Sequence, residues 1–176
     1  MLTHRRLPAS LSVVSLDLPV RTAFQTFVTL YQRAPQRFHI LIDVPPNGFG
    51  NDVPGSPSGF DRSQREPAPV ETSSRLLWLE VGESRAIFTS QSKTGLSYRH
   101  MWERGTYGIS RYWLNCPDRV RETADAKPRD CMRLRNFTRN FELERSDRPN
   151  HLRLEYELWS GRLKLGTYVL DLDIYA

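Results

Sequence analysis

The feature that most constrains the fold is the run from residue 151 to 175, "HLRLEYELWSGRLKLGTYVLDLDIY". Apolar and polar residues alternate along it, with Ser160 and Gly161 in the middle. Period two is the mark of strands with one buried face. A turn at Ser160-Gly161 sets Leu158 opposite Leu163 and Tyr156 opposite Leu165. Beyond Leu165 the apolar parity flips, because Tyr168, Leu170, Leu172 and Ile174 are even-numbered. One extra residue at Gly166 repairs the pattern, and glycine suits such a bulge. Leu154 then faces Tyr168 and Leu152 faces Leu170, while Glu157 meets Lys164 on the outer face.

The same test, that a turn must pair like faces with like, extends upstream. A turn in "SDRPN" (146–150) sets Leu143 against Leu152, Phe141 against Leu154 and Phe137 against Leu158. Glu142 meets Arg153 and Glu144 meets His151 outside. A turn at Gly82-Glu83 sets Leu79 against Ala86, Leu77 against Phe88 and Glu80 against Arg85. "FHILIDV" (38–44) reads as a further strand before Pro45-Pro46.

Two stretches depart from this pattern. In "VRTAFQTFVTLYQRA", Phe24, Phe27, Val28 and Tyr31 fall at i, i+3, i+4 and i+7, which predicts an amphipathic helix stopped by Pro35. Residues 45–74 are rich in Pro, Gly, Ser and Asp and have no apolar period. That composition predicts a disordered or mobile insertion. The 176 residues read as a single domain, 1–176. The expected fold is mainly β. It is an antiparallel meander of about seven or eight strands closing into a lipocalin-like barrel or half-barrel, with one N-terminal amphipathic helix.

The stretch "YRHMWERGTYGISRYW" (98–113) mixes rings and cations. A two-residue turn at Arg104-Gly105 pairs Trp102 with Tyr107, His100 with Ile109, Tyr98 with Arg111 and Leu96 with Trp113. The inward face then carries Tyr98, His100, Trp102, Arg111 and Trp113. Arg139 shares the parity of Phe137 and Phe141, so it too is expected inside. A buried guanidinium needs a partner. Two arginines in an aromatic-lined barrel would suit the carboxylate of an amphipathic anion, such as a fatty acid or a linear tetrapyrrole. The expected ligand-binding residues are Arg111, Arg139, His100, Tyr98, Trp102 and Trp113. A local bulge at Arg139, stacking on a ring, or an ion pair are the structural alternatives.

Charge bounds the partners. The net charge is +5, modest for a nucleic-acid binder, and its cations are 22 Arg against 3 Lys. The most basic window, residues 119–139, also carries Glu122, Asp125 and Asp130. An Arg-rich interaction protein binding RNA or an acidic protein partner is therefore the alternative function, with nucleic acid the less favoured partner. No apolar run reaches the roughly 20 residues of a membrane-spanning helix.

Catalytic and metal signatures are weak. His100 and Glu103 have no zinc-protease spacing and point to opposite faces of a strand. Asp171 and Asp173 share one outward face beside other charges. No nucleophile elbow or phosphate loop is present. A non-catalytic module is the reading, with no cofactor or metal assigned. Asn136-Phe137-Thr138 matches a glycosylation acceptor. Cys116 and Cys131 read as free thiols, which fits a cytoplasmic protein. Residues 1–19, poor in acids, carry the alternative of an organelle-targeting segment.

Overall fold

The structure is a computed structural model and describes residues 5–44, 75–91, 95–115 and 131–175. Ten strands form, in chain order: β1 (Arg5–Ser15), β2 (Arg21–Ala34), β3 (Arg37–Ile42), β4 (Leu76–Val81), β5 (Arg85–Gln91), β6 (Gly95–Glu103), β7 (Tyr107–Asn115), β8 (Cys131–Arg145), β9 (Pro149–Ser160) and β10 (Leu163–Ile174). Each pairs antiparallel with its neighbours in sequence, and β1 pairs with β10 to close the barrel. Closure leaves no sheet edge open. Among the described residues no helix is long and apolar enough to cross a membrane.

The interior follows from alternation on every strand. Leu7, Ala9 and Leu11 of β1 point in, as do Leu77, Leu79 and Val81 of β4 and Leu152, Leu154, Tyr156 and Leu158 of β9. Trp102 and Phe141 are the largest fully buried side chains. No Asp, Glu, Lys or Arg belongs to the buried set among the described residues.

The predicted helix is a strand. β2 places Phe24, Thr26, Val28 and Leu30 on the inward side, opposite Leu11, Ala9, Leu7 and Arg5. Its apolar set also fits a helical stripe, because Phe27 and Tyr31 are apolar on the outside. Phe27 is 47% exposed and lies under the Arg6 guanidinium, 4.6 Å from ring centroid to Cζ. Thr22, Thr26, Val28 and Thr29 are β-branched, which favours extended backbone. The tertiary partner β1 decides the matter. The N-terminal stretch read as a targeting alternative supplies a strand that pairs with β2 from Arg5 on and with β10 from Ala9 on. The expected insertion at 45–74 lies outside the described residues.

The turns set which residues face inward. Between β6 and β7 the connection is three residues, Arg104 to Thr106, with Gly105 at φ +69°. Thr106 N donates to Glu103 O at 3.1 Å. That is the three-residue hairpin with a left-handed glycine. One residue more than the expected turn rotates all of β7, so Tyr98 pairs with Tyr112 and His100 with Ser110. In β8 the register shifts between Thr138 and Asn140, so Arg139 is the bulged residue. The pairs Phe141–Leu154, Leu143–Leu152, Glu142–Arg153 and Glu144–His151 stand as expected, whereas Phe137 meets Glu157 and not Leu158.

The last hairpin turns at Gly161-Arg162, with Gly161 at φ +59°. Its register is two residues away from the expected one, so Leu154 meets Leu170 and Leu152 meets Leu172, but every face is kept. The register shifts between Lys164 and Gly166, so the unpaired residue is Leu165, one position before the glycine at which the alternation placed the bulge. The β4–β5 hairpin behaves likewise: Leu79 meets Phe88 and Val81 meets Ala86.

Candidate functional site

The aromatic and polar content of the interior is concentrated on β6 to β10. β6 sends Tyr98, His100 and Trp102 inward at alternate positions. β7 adds Ser110 and Tyr112, β8 adds Asn136 and Thr138, β9 adds Tyr156 and β10 adds Tyr168. The imidazole of His100 stacks on Trp102 with centroids 5.0 Å apart and planes 11° apart. Tyr98 and Tyr112 meet it edge-on, each at 5.3 Å. Tyr156 packs on Trp102 at 4.9 Å and on Tyr168 at 5.6 Å. Offset and edge-to-face contacts of this kind add roughly 0.5–1.5 kcal/mol per pair beyond area burial.

A hydrogen-bonded chain threads these rings. Asn136 Nδ2 donates to Ser110 Oγ at 2.8 Å, and Ser110 Oγ lies 2.8 Å from His100 Nδ1. Tyr112 Oη lies 3.3 Å from His100 Nε2. Both ring nitrogens of His100 therefore have a hydroxyl partner, Ser110 at Nδ1 and Tyr112 at Nε2. Burial pushes the His100 pKa down to about 3. The imidazole is therefore neutral near pH 7. Burial raises the phenols of Tyr98, Tyr112, Tyr156 and Tyr168 as well. Every ionisable group of the cluster is thus held uncharged.

The cluster has both an accessible side and unmet polar atoms. Tyr98, Tyr112 and Tyr168 point inward yet are only partly buried. The charge of Arg75, just before β4, acts on Tyr98. Trp102 Nε1, Asn136 Oδ1 and Thr138 Oγ1 are buried with no hydrogen-bond partner. An orphaned buried donor or acceptor costs roughly 1–3 kcal/mol until a partner arrives.

The expected site residues divide. His100, Tyr98 and Trp102 are inside and in mutual contact. Arg111, Arg139 and Trp113 are not. The three-residue turn puts Arg111 and Trp113 on the outer face, with Arg111 exposed. The bulge turns Arg139 outward to Glu157 at 3.2 Å and Glu155 at 3.6 Å. Both arginines avoid the desolvation that an inward position would impose. Ser110, Tyr112 and Asn136 were not legible as site residues. Asn136, read as a glycosylation acceptor, is fully buried with its amide inside the barrel.

The remaining constellations are structural. Arg153 Nη1 donates to both oxygens of Asp171 at 3.0 Å, and His151 Nδ1 lies 2.7 Å from Asp173. Cys131 is exposed and free, and Cys116 lies outside the described residues. A recess of about 670 Å³ opens between the β2–β3 and β4–β5 hairpins. Arg33, Arg37 and Arg85 alternate there with Glu80, Glu83 and Glu103, a solvated mixture with no single sign.

These observations define a closed, ten-stranded antiparallel barrel with a neutral aromatic and hydroxyl cluster inside. The crystal structure of ywiB protein from Bacillus subtilis is similar to it, with a TM-score of 0.54 at 10% sequence identity, covering 98% of this chain and 96% of that chain. At that identity the likeness shows the fold alone. No protein-family model matches the chain, and no curated protein matches it.

Proposed function

We propose that this chain is a non-catalytic β-barrel binding module for an amphipathic small molecule with a conjugated, hydrogen-bonding body. The observation that carries the reading is the His100 cluster, with its partly accessible tyrosines and the unpartnered Trp102 Nε1, Asn136 Oδ1 and Thr138 Oγ1. Small-molecule sites are mostly apolar, with a few polar groups that fix orientation, and the composition of this cluster supports the reading.

Charge refines the ligand class. With Arg111 and Arg139 outside, a carboxylate drawn fully into the barrel would meet no cation in the described cluster and would keep its desolvation cost. The acid group of a carboxylate ligand therefore stays at the Tyr98 side, where Arg75 acts. Stacking rings and hydrogen-bonding atoms favour a linear tetrapyrrole or a similar planar carboxylate over a saturated fatty acid. Acid–base chemistry is disfavoured by the site itself. Ser110 and His100 are 2.8 Å apart, but a base with a pKa of about 3 activates a hydroxyl poorly at neutral pH.

The test is a titration of the protein with biliverdin, its dimethyl ester and palmitate, followed by tryptophan fluorescence. The reading expects saturable quenching by biliverdin, at least tenfold weaker binding in Trp102→Leu, and a loss in Arg75→Gln that the ester does not share. No saturable binding by any of the three, or binding unchanged in Trp102→Leu, overturns it.

A further inference from the structure

The outer surface carries a feature that the interior reading does not use. Successive strand pairings place Trp78, Thr89, Arg99, Arg111 and Arg133 directly opposite one another across β4 to β8. The three arginines are therefore consecutive rungs of one cross-strand row. All three are exposed. Among the described residues no carboxylate forms an ion pair with any of them, whereas Arg6, Arg139 and Arg153 all have carboxylate partners. Neighbouring strands lie roughly 4.8 Å apart, so the three guanidiniums are anchored within about 10 Å. Like charges directly opposite each other oppose sheet pairing. A row that is unfavourable to the fold and lacks internal neutralisation is complementary to a line of negative charge.

We propose that this row is a docking strip for single-stranded RNA, with the backbone phosphates on Arg99, Arg111 and Arg133. Two tryptophans favour a nucleic acid over an acidic protein segment. Trp78 stands in the same row, and Trp113 is the next outward residue of β7 after Arg111; both are partly exposed. Positive grooves with interleaved aromatic rings are how single strands are held without sequence readout, by phosphate contact and base stacking. Guanidinium forks match phosphate oxygens and also stack on bases. The chain's net charge of +5 gives no hint of this density, because the acids are spent elsewhere on the surface.

The experiment is fluorescence anisotropy of a labelled 12-nucleotide oligouridylate with the full chain at 50–200 mM salt. Three proteins are compared: wild type, Arg99→Gln/Arg111→Gln/Arg133→Gln, and the charge-matched control Arg5→Gln/Arg21→Gln/Arg37→Gln. Circular dichroism confirms that each is folded. Wild type is expected to bind with a steep salt dependence. The row variant should lose at least tenfold in affinity and about two from the slope of log K against log salt, at roughly 0.7 per phosphate. The control should stay within about twofold of wild type. No binding at 50 mM salt, or equal losses in the row variant and the control, overturns the proposal. A glutamate-rich peptide that binds the row more tightly than the oligonucleotide overturns it in favour of an acidic protein.

Discussion

Replacing His100 with Asn should remove one specific pH dependence of stability, on top of a pH-independent cost for the lost ring contacts. In the folded barrel the imidazole is buried and its pKa is lowered from 6.5 to about 3. The unfolded chain carries an ordinary histidine. Above pH 6.5 both states hold the ring neutral, and its titration costs nothing. Below pH 6.5 the unfolded state takes up a proton that the folded state refuses, so stability falls as the pH falls. The loss runs at about 1.4 kcal/mol per pH unit and ends near pH 3, where the folded state also protonates. Across that window it reaches roughly 5 kcal/mol, comparable with the whole stability of a small domain. Asn has no such titration. Urea unfolding of wild type and His100→Asn, followed by far-UV circular dichroism at half-unit steps from pH 8 to pH 4, isolates the effect as a difference. The gap between the two should be constant above pH 7 and then shift in favour of the variant by more than 2 kcal/mol by pH 4.5. Parallel curves throughout would refute the claim that His100 is sealed and neutral.

Three further outcomes follow from contacts described above. Ser110→Ala strands Asn136 Nδ2 and His100 Nδ1 inside the barrel and should destabilise it by roughly 2–4 kcal/mol in urea unfolding. Gly108→Ala should cost about 1–3 kcal/mol by thermal unfolding, because a Cβ there runs into the Met101 carbonyl and sits 2.7 Å from Asn136 Oδ1. Arg111→Gln should raise stability by roughly 0.2–1 kcal/mol at low salt, with the gain shrinking at 1 M salt, since it removes the middle charge of the row.

The sheet was legible in the sequence because alternation carries a face assignment through every hairpin. Where a turn was misread by two residues, as in the β4–β5 and β9–β10 hairpins, each residue kept its face and the core reading survived. Where it was misread by one, as at Arg104 to Thr106, β7 turned over. That single residue exchanged Arg111 and Trp113 for Ser110 and Tyr112 in the interior, and so replaced a cationic cavity by a neutral one. Arg139 went outward through a bulge that no residue type announces. β2 was unreadable for a different reason: apolar residues on both faces of a strand imitate a helical stripe, and only pairing with β1 separates the two. The arginine row was invisible because it is built from five strands, and opposition across strands depends on every register between them.

The most direct measurement is native mass spectrometry of the protein purified gently from its source. A retained molecule of a few hundred daltons that is lost on denaturation, and absent from Trp102→Leu, is the expected result. The bare chain mass from wild type and variant alike would contradict a ligand-holding interior.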